Sequence, residues 1–140
     1  MPKQICVIDG QGGGIGAVLI KFIRERYGES VELIALGTNA IATAQMLKAG
    51  ANKGATGENA ICRTLPKADC IVGPIAISWA EAMLGEVTAK MAAAVTGANA
   101  VKVLLPVSQE QIIVVATAQE PLPHMVQKAV EKIQEVIENV

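Results

Sequence analysis

A glycine-rich segment near the start of the chain carries the residue types and spacing that most directly suggest chemistry. It consists of Asp9, Gly10, Gln11, Gly12, Gly13, Gly14, Ile15 and Gly16. An apolar run over residues 5–8 precedes it, and a segment with helical periodicity follows. A strand, a glycine-rich turn and a helix in this order point bare backbone N–H groups and the positive end of a helix at an anion. The segment therefore predicts a site for a phosphate-bearing ligand, and a purely structural turn is the alternative.

The spacing of the glycines differs from that of the usual dinucleotide-binding loop. Gly10, Gly14 and Gly16 match the variant found in short-chain dehydrogenases, whereas the stricter G-x-G-x-x-G pattern fails at Ile15. The Tyr-x-x-x-Lys pair that such a dehydrogenase needs is absent, because Tyr27 is the one tyrosine and no lysine stands four residues after it. No Walker A, G-x-S-x-G or serine–histidine arrangement occurs either. The loop thus indicates binding without indicating a reaction.

Asp9 adds a carboxylate at the mouth of the predicted site, where it would repel a pyrophosphate unless a cation or a proton intervened. Three roles are open from the sequence. Asp9 can accept hydrogen bonds from the N–H groups of its own loop. It can hold Mg²⁺ together with the phosphate of a ligand, or act as a general base on a ligand without a phosphate. The expected cofactor is therefore a nucleotide or dinucleotide, with Mg²⁺ as an option through Asp9.

Residues at the ends of two further strands are predicted to share this crevice. Ligands of open α/β sheets bind beyond the carboxyl ends of the strands, at the point where the strand order reverses. That rule adds five residues to the candidate site: Thr38, Asn39, Gly73, Pro74 and Ser78. A dinucleotide fold usually carries an acidic residue for the ribose at the end of its second strand. Because no carboxylate follows that strand here, a dinucleotide is less favoured than a nucleotide or another phosphate-bearing metabolite.

A second polar group follows Gly54 and consists of Thr56, Gly57, Glu58 and Asn59. Thr56 can cap a helix predicted over 56–65, and Glu58 in its first turn would favour the helix dipole. Contact with the ligand is the alternative, and the sequence does not separate the two. Glu81 and Glu86 are expected to be surface or capping groups.

Alternating strands and helices position these residues. Strands are predicted over 3–8, 31–36, 68–72, 101–107 and 112–117, and helices over 15–27, 40–49, 56–65, two segments starting near 79 and 88, and 122–137. Asn39 and Thr88 are expected to cap their helices, and Ser78-x-x-Glu81 is a capping-box pattern. The last two strands are separated by too few residues for a parallel crossover, which predicts an antiparallel hairpin. The expected fold is α/β: a single Rossmann-like, doubly wound domain over residues 1–140, with a mostly parallel sheet of about five strands and a C-terminal antiparallel edge hairpin.

Composition narrows the expected partners. The chain has 140 residues, a net charge of −1 and no basic cluster, which argues against nucleic acid as a partner. It is 51% hydrophobic but has no apolar run of the roughly 18 residues that a membrane span requires. No signal peptide is apparent, and the three cysteines form no C-x-x-C pair, so a cytoplasmic location is expected. High apolar content on a short chain also predicts a homo-oligomer, with a dimer favoured.

Four segments of the chain together resemble a small bacterial family classed as a domain of unknown function, number 3842 in that series. They are residues 9–16, 35–40, 54–60 and 83–87, in this order and over a matching chain length. The resemblance implies a compact, Rossmann-like cytoplasmic protein without an assigned activity. It supports a shared site at the crevice but identifies neither a ligand nor a reaction.

Three functions of different classes remain open. The leading hypothesis is a sensor or carrier that binds a nucleotide or another phosphate-bearing metabolite at the glycine-rich segment. The second is a small enzyme whose active site is completed at a dimer interface, with Asp9, Glu58 or Asn59 supplying acid–base or metal chemistry. The third is a structural or regulatory assembly protein without a ligand.

Overall fold

A five-stranded parallel β-sheet forms the centre of the protein. The computed structural model describes residues 2–108 and 110–139. Its strands are β1 (Lys3–Asp9), β2 (Val31–Gly37), β3 (Lys53–Thr56), β4 (Cys70–Pro74) and β5 (Val101–Leu105). They lie in the order β3-β2-β1-β4-β5, and every neighbouring pair is parallel. The strand order therefore reverses between β1 and β4, which is where such sheets bind ligands.

Helices cover both faces of the sheet, as a doubly wound fold requires. They are α1 (Gly14–Tyr27), α2 (Ala40–Ala49), α3 (Glu58–Thr64), α4 (Ala89–Gly97) and α5 (Leu122–Asn139). Side chains of β1 alternate between two cores: Ile5 and Val7 pack with α1, α2 and α5, whereas Cys6 and Ile8 pack with α3 and α4. Burial on both faces explains why β1 and β2 are apolar along most of their length. The predicted α/β class and parallel sheet are confirmed.

Two predicted helix caps are confirmed by the structure. The side chain of Asn39 accepts a hydrogen bond from the N–H of Ala42 at 2.9 Å and begins α2. Thr88 accepts one from the N–H of Met91 at 3.1 Å and begins α4. Both caps satisfy an N–H group that the first helical turn leaves without a partner. The Asn39 cap matters for the site because it fixes a polar side chain beside the glycine-rich segment.

The predicted antiparallel edge hairpin is wrong. The strand expected at 101–107 ends at Leu105, and residues 112–117 form no strand although all of them are described. Ile113 and Val115 are 90% and 84% exposed, so this segment has no pleated surface against which to pack. Strand propensity of β-branched residues reflects such packing more than a backbone preference. Gln109, in the predicted connection, lies outside the described residues.

The sheet reaches five strands through β3, which lies in a region where the sequence predicts no strand. Its register with β2 pairs Ile34 with Lys53 and Gly37 with Thr56. Because β3 is a short edge strand with mostly exposed side chains, it lacks the apolar pattern that marks a strand in sequence. The helix expected from Trp79 is also wrong: residues 79–87 form a series of turns.

Within the part of the chain that the structure covers, none of the helices combines the length and apolarity needed to cross a membrane.

Candidate functional site

A cavity of about 250 Å³ lies at the carboxyl ends of β1 and β4, where the strand order reverses. Its lining combines the glycine-rich segment with residues that follow β4 and β5: Asp9, Gly10, Gln11, Gly12, Gly13, Gly14, Ile15, Pro74, Ala76, Met83, Val107, Ser108 and Glu110. The structure thus brings most of the predicted loop to one cavity, together with Pro74. Val107, Ser108 and Glu110 were not predicted, because they follow β5 in a segment without a recognisable motif.

Asp9 is buried and directs both carboxylate oxygens into its own loop. Oδ1 accepts a hydrogen bond from the N–H of Gly10 at 2.8 Å, and Oδ2 accepts one from the N–H of Gly16 at 2.7 Å. Burial raises the pKa of Asp9; these N–H groups oppose the increase, and the negative charge of Glu86 adds to it. The geometry matches the first of the three roles considered for Asp9, in which it closes the turn at the start of α1.

Glu86 does not line the cavity, but it makes a contact with the glycine-rich segment that the sequence did not identify. Its Oε1 accepts hydrogen bonds from the N–H of Gln11 at 2.8 Å, the hydroxyl of Thr38 at 2.7 Å and the side-chain amide of Asn39 at 2.9 Å. Desolvation raises the pKa of Glu86, but the three donors outweigh it, so that the pKa lies below its ordinary value. Glu86 is therefore neither a surface nor a capping group.

This contact also corrects the expectation that no carboxylate stands at the end of β2. A carboxylate does lie there, but it comes from the segment after β4 instead of from β2 itself. Thr38 and Asn39 consequently contact Glu86 and do not line the cavity. The one sequence signal that included Glu86 was its position in segment 83–87 of the family resemblance.

Gly12 and Gly14 line the cavity, and their N–H groups have no partner among the hydrogen bonds of this loop. Asp9 binds the N–H of Gly10 and Gly16, Glu86 binds that of Gln11, and the N–H of Gly13 donates to the carbonyl of Gly10 at 2.9 Å. Both glycines are exposed, and a Cβ built on either of them would meet no atom within 4 Å. These two groups are the donors that the loop still offers to a ligand.

Gly13 shows why the loop needs glycine. Its φ of 74° is left-handed, and a Cβ there would lie 2.8 Å from the Cα of Ala42 in α2. The loop is therefore pressed against α2 at this residue, whereas it remains open at Gly12 and Gly14.

The second predicted polar group does not reach the cavity. The hydroxyl of Thr56 lies 2.8 Å from that of Thr43, and the N-cap of α3 is Gly57, which has no capping side chain. The predicted cap at Thr56 is therefore wrong. Glu58 and Asn59 start α3 beside the edge strand β3 and are not among the residues that line the cavity.

Gly73 lies within β4 and Ser78 lies in the turn that follows it, and both have structural contacts with the backbone. The hydroxyl of Ser78 donates to the carbonyl of Ile75 at 2.6 Å and closes a short 3-10 turn. A Cβ at Gly73 would lie 2.4 Å from the carbonyl oxygen of Ile8, so glycine allows β4 to approach β1 closely. Neither Gly73 nor Ser78 lines the cavity.

The charge around the cavity is negative. Asp9 and Glu110 are among its lining residues, and the described lining includes no lysine, arginine or histidine. Glu110 accepts a hydrogen bond from the N–H of Met83 at 2.7 Å. Across residues 2–108 and 110–139, no group of three His, Cys, Asp or Glu side chains is placed to hold a metal ion. A phosphate in this cavity would therefore need a cation from outside the protein.

The strand order and the glycine-rich turn after β1 define a Rossmann-like α/β protein. The chain belongs to the family described as "Domain of unknown function (DUF3842)", whose model matches residues 4–138. Among solved structures it is similar to a dodecameric FMN-dependent Ubix-like decarboxylase from Escherichia coli O157:H7. That likeness has 15% identity and a TM-score of 0.46, covering 95% of this chain and 92% of the other. No curated protein matches the sequence.

Proposed function

We propose that the protein binds a small phosphate-bearing metabolite, such as a nucleotide, in the cavity at the glycine-rich segment and works as a sensor or carrier. One observation supports this most strongly. Gly12 and Gly14 line the cavity at the start of α1, their N–H groups have no partner within the loop, and the helix dipole favours an anion there.

The size of the cavity favours a compact ligand. Its volume of about 250 Å³ lies just below the roughly 300 to 1,000 Å³ typical of ligand pockets. Met83 and Glu86 pack against Gly10, on the side where a dinucleotide fold would place its adenosine. The ligand that fits this conformation is therefore smaller than a dinucleotide.

The negative lining makes a cation part of the proposal. Both oxygens of Asp9 are engaged by backbone N–H groups, and Glu110 adds a second carboxylate to the lining. Mg²⁺ is usually held by one or two carboxylates together with the phosphates of its ligand. We expect the ligand to bind as its Mg²⁺ complex and to bind more weakly without the ion.

A thermal-shift panel of nucleotides, coenzyme A and sugar phosphates, with and without Mg²⁺, tests the proposal. A ligand at a hundred times its Kd should add about 2.7 kcal/mol to the free energy of unfolding. Gly12→Asp places a charge in the proposed phosphate position, in space that is open at Gly12. Gly97→Asp, at the end of α4 and equally open, is the matched control. The proposal fails if no compound shifts the melting temperature, or if the Gly12 variant binds as well as its control.

We also propose that the protein forms a homo-oligomer through the segment after β5. Residues 112–115 are four consecutive apolar residues with exposed side chains, and Ile113 is 90% exposed. Exposed apolar patches of this kind commonly mark contacts between proteins. Light scattering on Ile113→Lys should show a smaller mass than on Ile41→Lys, whose position on α2 is 66% exposed. Equal masses for the two variants would contradict this proposal.

We also propose that the protein is cytoplasmic. Cys6 and Cys70 are free and buried on neighbouring strands, and burial raises the pKa of both thiols to about 12. Unpaired thiols of this kind fit a reducing compartment. Fractionation of cells that carry the tagged protein tests the location, and recovery from a secreted or membrane fraction would contradict it.

A further inference from the structure

The segment that carries Glu86, residues 79–87, forms a strap over the glycine-rich segment. Its base is held by Ala82 and Val87, which are buried and joined by a hydrogen bond from the N–H of Val87 to the carbonyl of Ala82 at 3.1 Å. A second bond, from the N–H of Glu81 to the carbonyl of Val87 at 2.7 Å, closes the same base. A tip of four residues, 83–86, therefore lies between two ends that are held in the core.

The backbone at the tip is in an unfavourable conformation. Met83, Leu84 and Gly85 have consecutive φ values of 59°, 57° and 89°. Left-handed backbone is costly for residues that carry a Cβ. Leu84 is 98% exposed, so its side chain does not offset that cost by packing. Backbone hydrogen bonds within the strap, from the N–H of Gly85 to Glu81 and of Glu86 to Met83, shape the tip, and the side chain of Glu86 joins it to the glycine-rich segment.

The three donors that bind Glu86 are held in place independently of it. The side chain of Asn39 is fixed because its Oδ1 caps α2 and its amide also donates to the carbonyl of Gln11 at 2.9 Å. The N–H of Thr38 donates to the carbonyl of Asp9 at 3.0 Å. All three donors come from the loops after β1 and β2, not from the strap. If Glu86 moved away, a set of donors that fits one acidic oxygen would remain.

We propose that Gln11, Thr38 and Asn39 form a second anion subsite, which the carboxylate of Glu86 fills whenever the ligand is absent. Because Gln11 and Gly12 are consecutive residues, this subsite adjoins the one at Gly12 and Gly14. The ligand class that fits both is a metabolite with two neighbouring acidic groups, such as a diphosphate. The inference rests on the proposed function, since the first acidic group is the one expected at Gly12 and Gly14.

In this arrangement the strap acts as an internal competitor. The ligand reaches the second subsite only in the minor fraction of molecules whose strap is open, and its apparent affinity falls by that fraction. Minor conformations are commonly populated at 0.1 to 10%. Glu86→Gln removes the competing charge and should therefore tighten binding at the second subsite by about tenfold or more.

Titration with inorganic pyrophosphate in the presence of Mg²⁺, followed by two-dimensional ¹H–¹⁵N NMR, tests the inference. The reporters are the backbone N–H of Gln11 and the side-chain amide of Asn39. Glu81→Gln is the matched control, because it makes the same charge change on the strap and leaves the hydrogen bonds of Glu86 to the loops in place. A tightening at both reporters of at least about tenfold in Glu86→Gln, but not in the control, supports the inference. A smaller effect overturns it.

Leu84→Gly provides a second measurement if Glu86→Gln does not fold. Glycine adopts the left-handed conformation at little cost, so this variant should favour the closed strap and weaken pyrophosphate binding at Gln11. Unchanged or tighter binding overturns the inference. The N–H signals of Gly12 and Gly14 report separately on the proposed function. If the signals of Gly12 and Gly14 shift while those of Gln11 and Asn39 do not, the proposed second subsite is wrong and the proposed function stands. If only the signals of Gln11 and Asn39 shift, the proposed site at Gly12 and Gly14 is wrong.

Discussion

Replacing Gly16 by alanine should destabilise the protein, although alanine is the better helix former. A Cβ at Gly16 would lie 2.5 Å from the sulfur of Met46 and 2.9 Å from the Cβ of Asp9. Met46 is fully buried, and Asp9 cannot move without lengthening its hydrogen bonds to the N–H groups of Gly10 and Gly16. The variant therefore strains the contact between β1 and the first turn of α1.

The magnitude follows from three contributions. Overpacking of a core contact costs about 1 to 3 kcal/mol. Weakening a hydrogen bond to a charged group costs roughly a further 1.5 kcal/mol. The higher helix propensity of alanine stabilises the variant by about 0.5 to 1 kcal/mol relative to glycine and offsets part of this loss. The net loss in the free energy of unfolding is therefore about 1.5 to 4 kcal/mol. Gly14→Ala, two residues earlier in open space, should instead gain about 0.4 to 1 kcal/mol.

Urea denaturation of the two variants, followed by circular dichroism, measures this difference. With a slope of about 2 kcal/mol per molar urea, the midpoint of Gly16→Ala should fall by roughly 0.75 to 2 M. That of Gly14→Ala should stay the same or rise. Equal midpoints for Gly16→Ala and the wild type would refute the argument that Asp9 and Met46 enclose the Cα of Gly16.

Three further predictions concern stability. Gly73→Ala should cost roughly 1 to 3 kcal/mol in urea titrations, because its Cβ would press on the carbonyl oxygen of Ile8, and wild-type stability would contradict that close approach. Thr43→Val should cost about 0.5 to 1.5 kcal/mol, because it removes the hydrogen bonds of a buried hydroxyl while the exposed Thr56 hydroxyl can bind water; no loss would show that the bond to Thr56 is not made. Glu86 has a lowered pKa in the folded protein, so its contribution to stability is present above about pH 4.3 and disappears as pH falls through that lowered value. The difference in unfolding free energy between the wild type and Glu86→Gln should therefore shrink below pH 4, and a difference that is constant from pH 3 to 7 would rule out the lowered pKa.

The order of elements was largely predictable because local signals agree with the fold in most of them. Residues 31–36 read as an apolar strand, and the N-cap at Asn39 together with Gly50 marks both ends of α2. Exceptions occur where packing, and not propensity, decides the structure. β3 forms because β2 offers it a free edge, whereas residues 112–117 have strand-forming side chains but pair with no strand.

The site was predictable only as far as it is local in sequence. Asp9 and the glycines are consecutive, so their place at the end of β1 followed from the strand–turn–helix pattern. The contact between Gln11 and Glu86 joins residues 75 positions apart, and no local pattern encodes it. The turn pattern around Glu86 was also misleading, because Ser78 and Glu81 imitate a helix start in a segment with left-handed backbone.

The most direct test of the proposed phosphate site is a crystal structure of the protein grown with Mg²⁺ and the compound that stabilises it most in the thermal-shift panel. Difference density for a phosphate is expected within hydrogen-bonding distance, about 2.7 to 3.2 Å, of the N–H groups of Gly12 and Gly14. Density for the bound compound elsewhere on the protein, with the cavity at Gly12 and Gly14 empty, would contradict it.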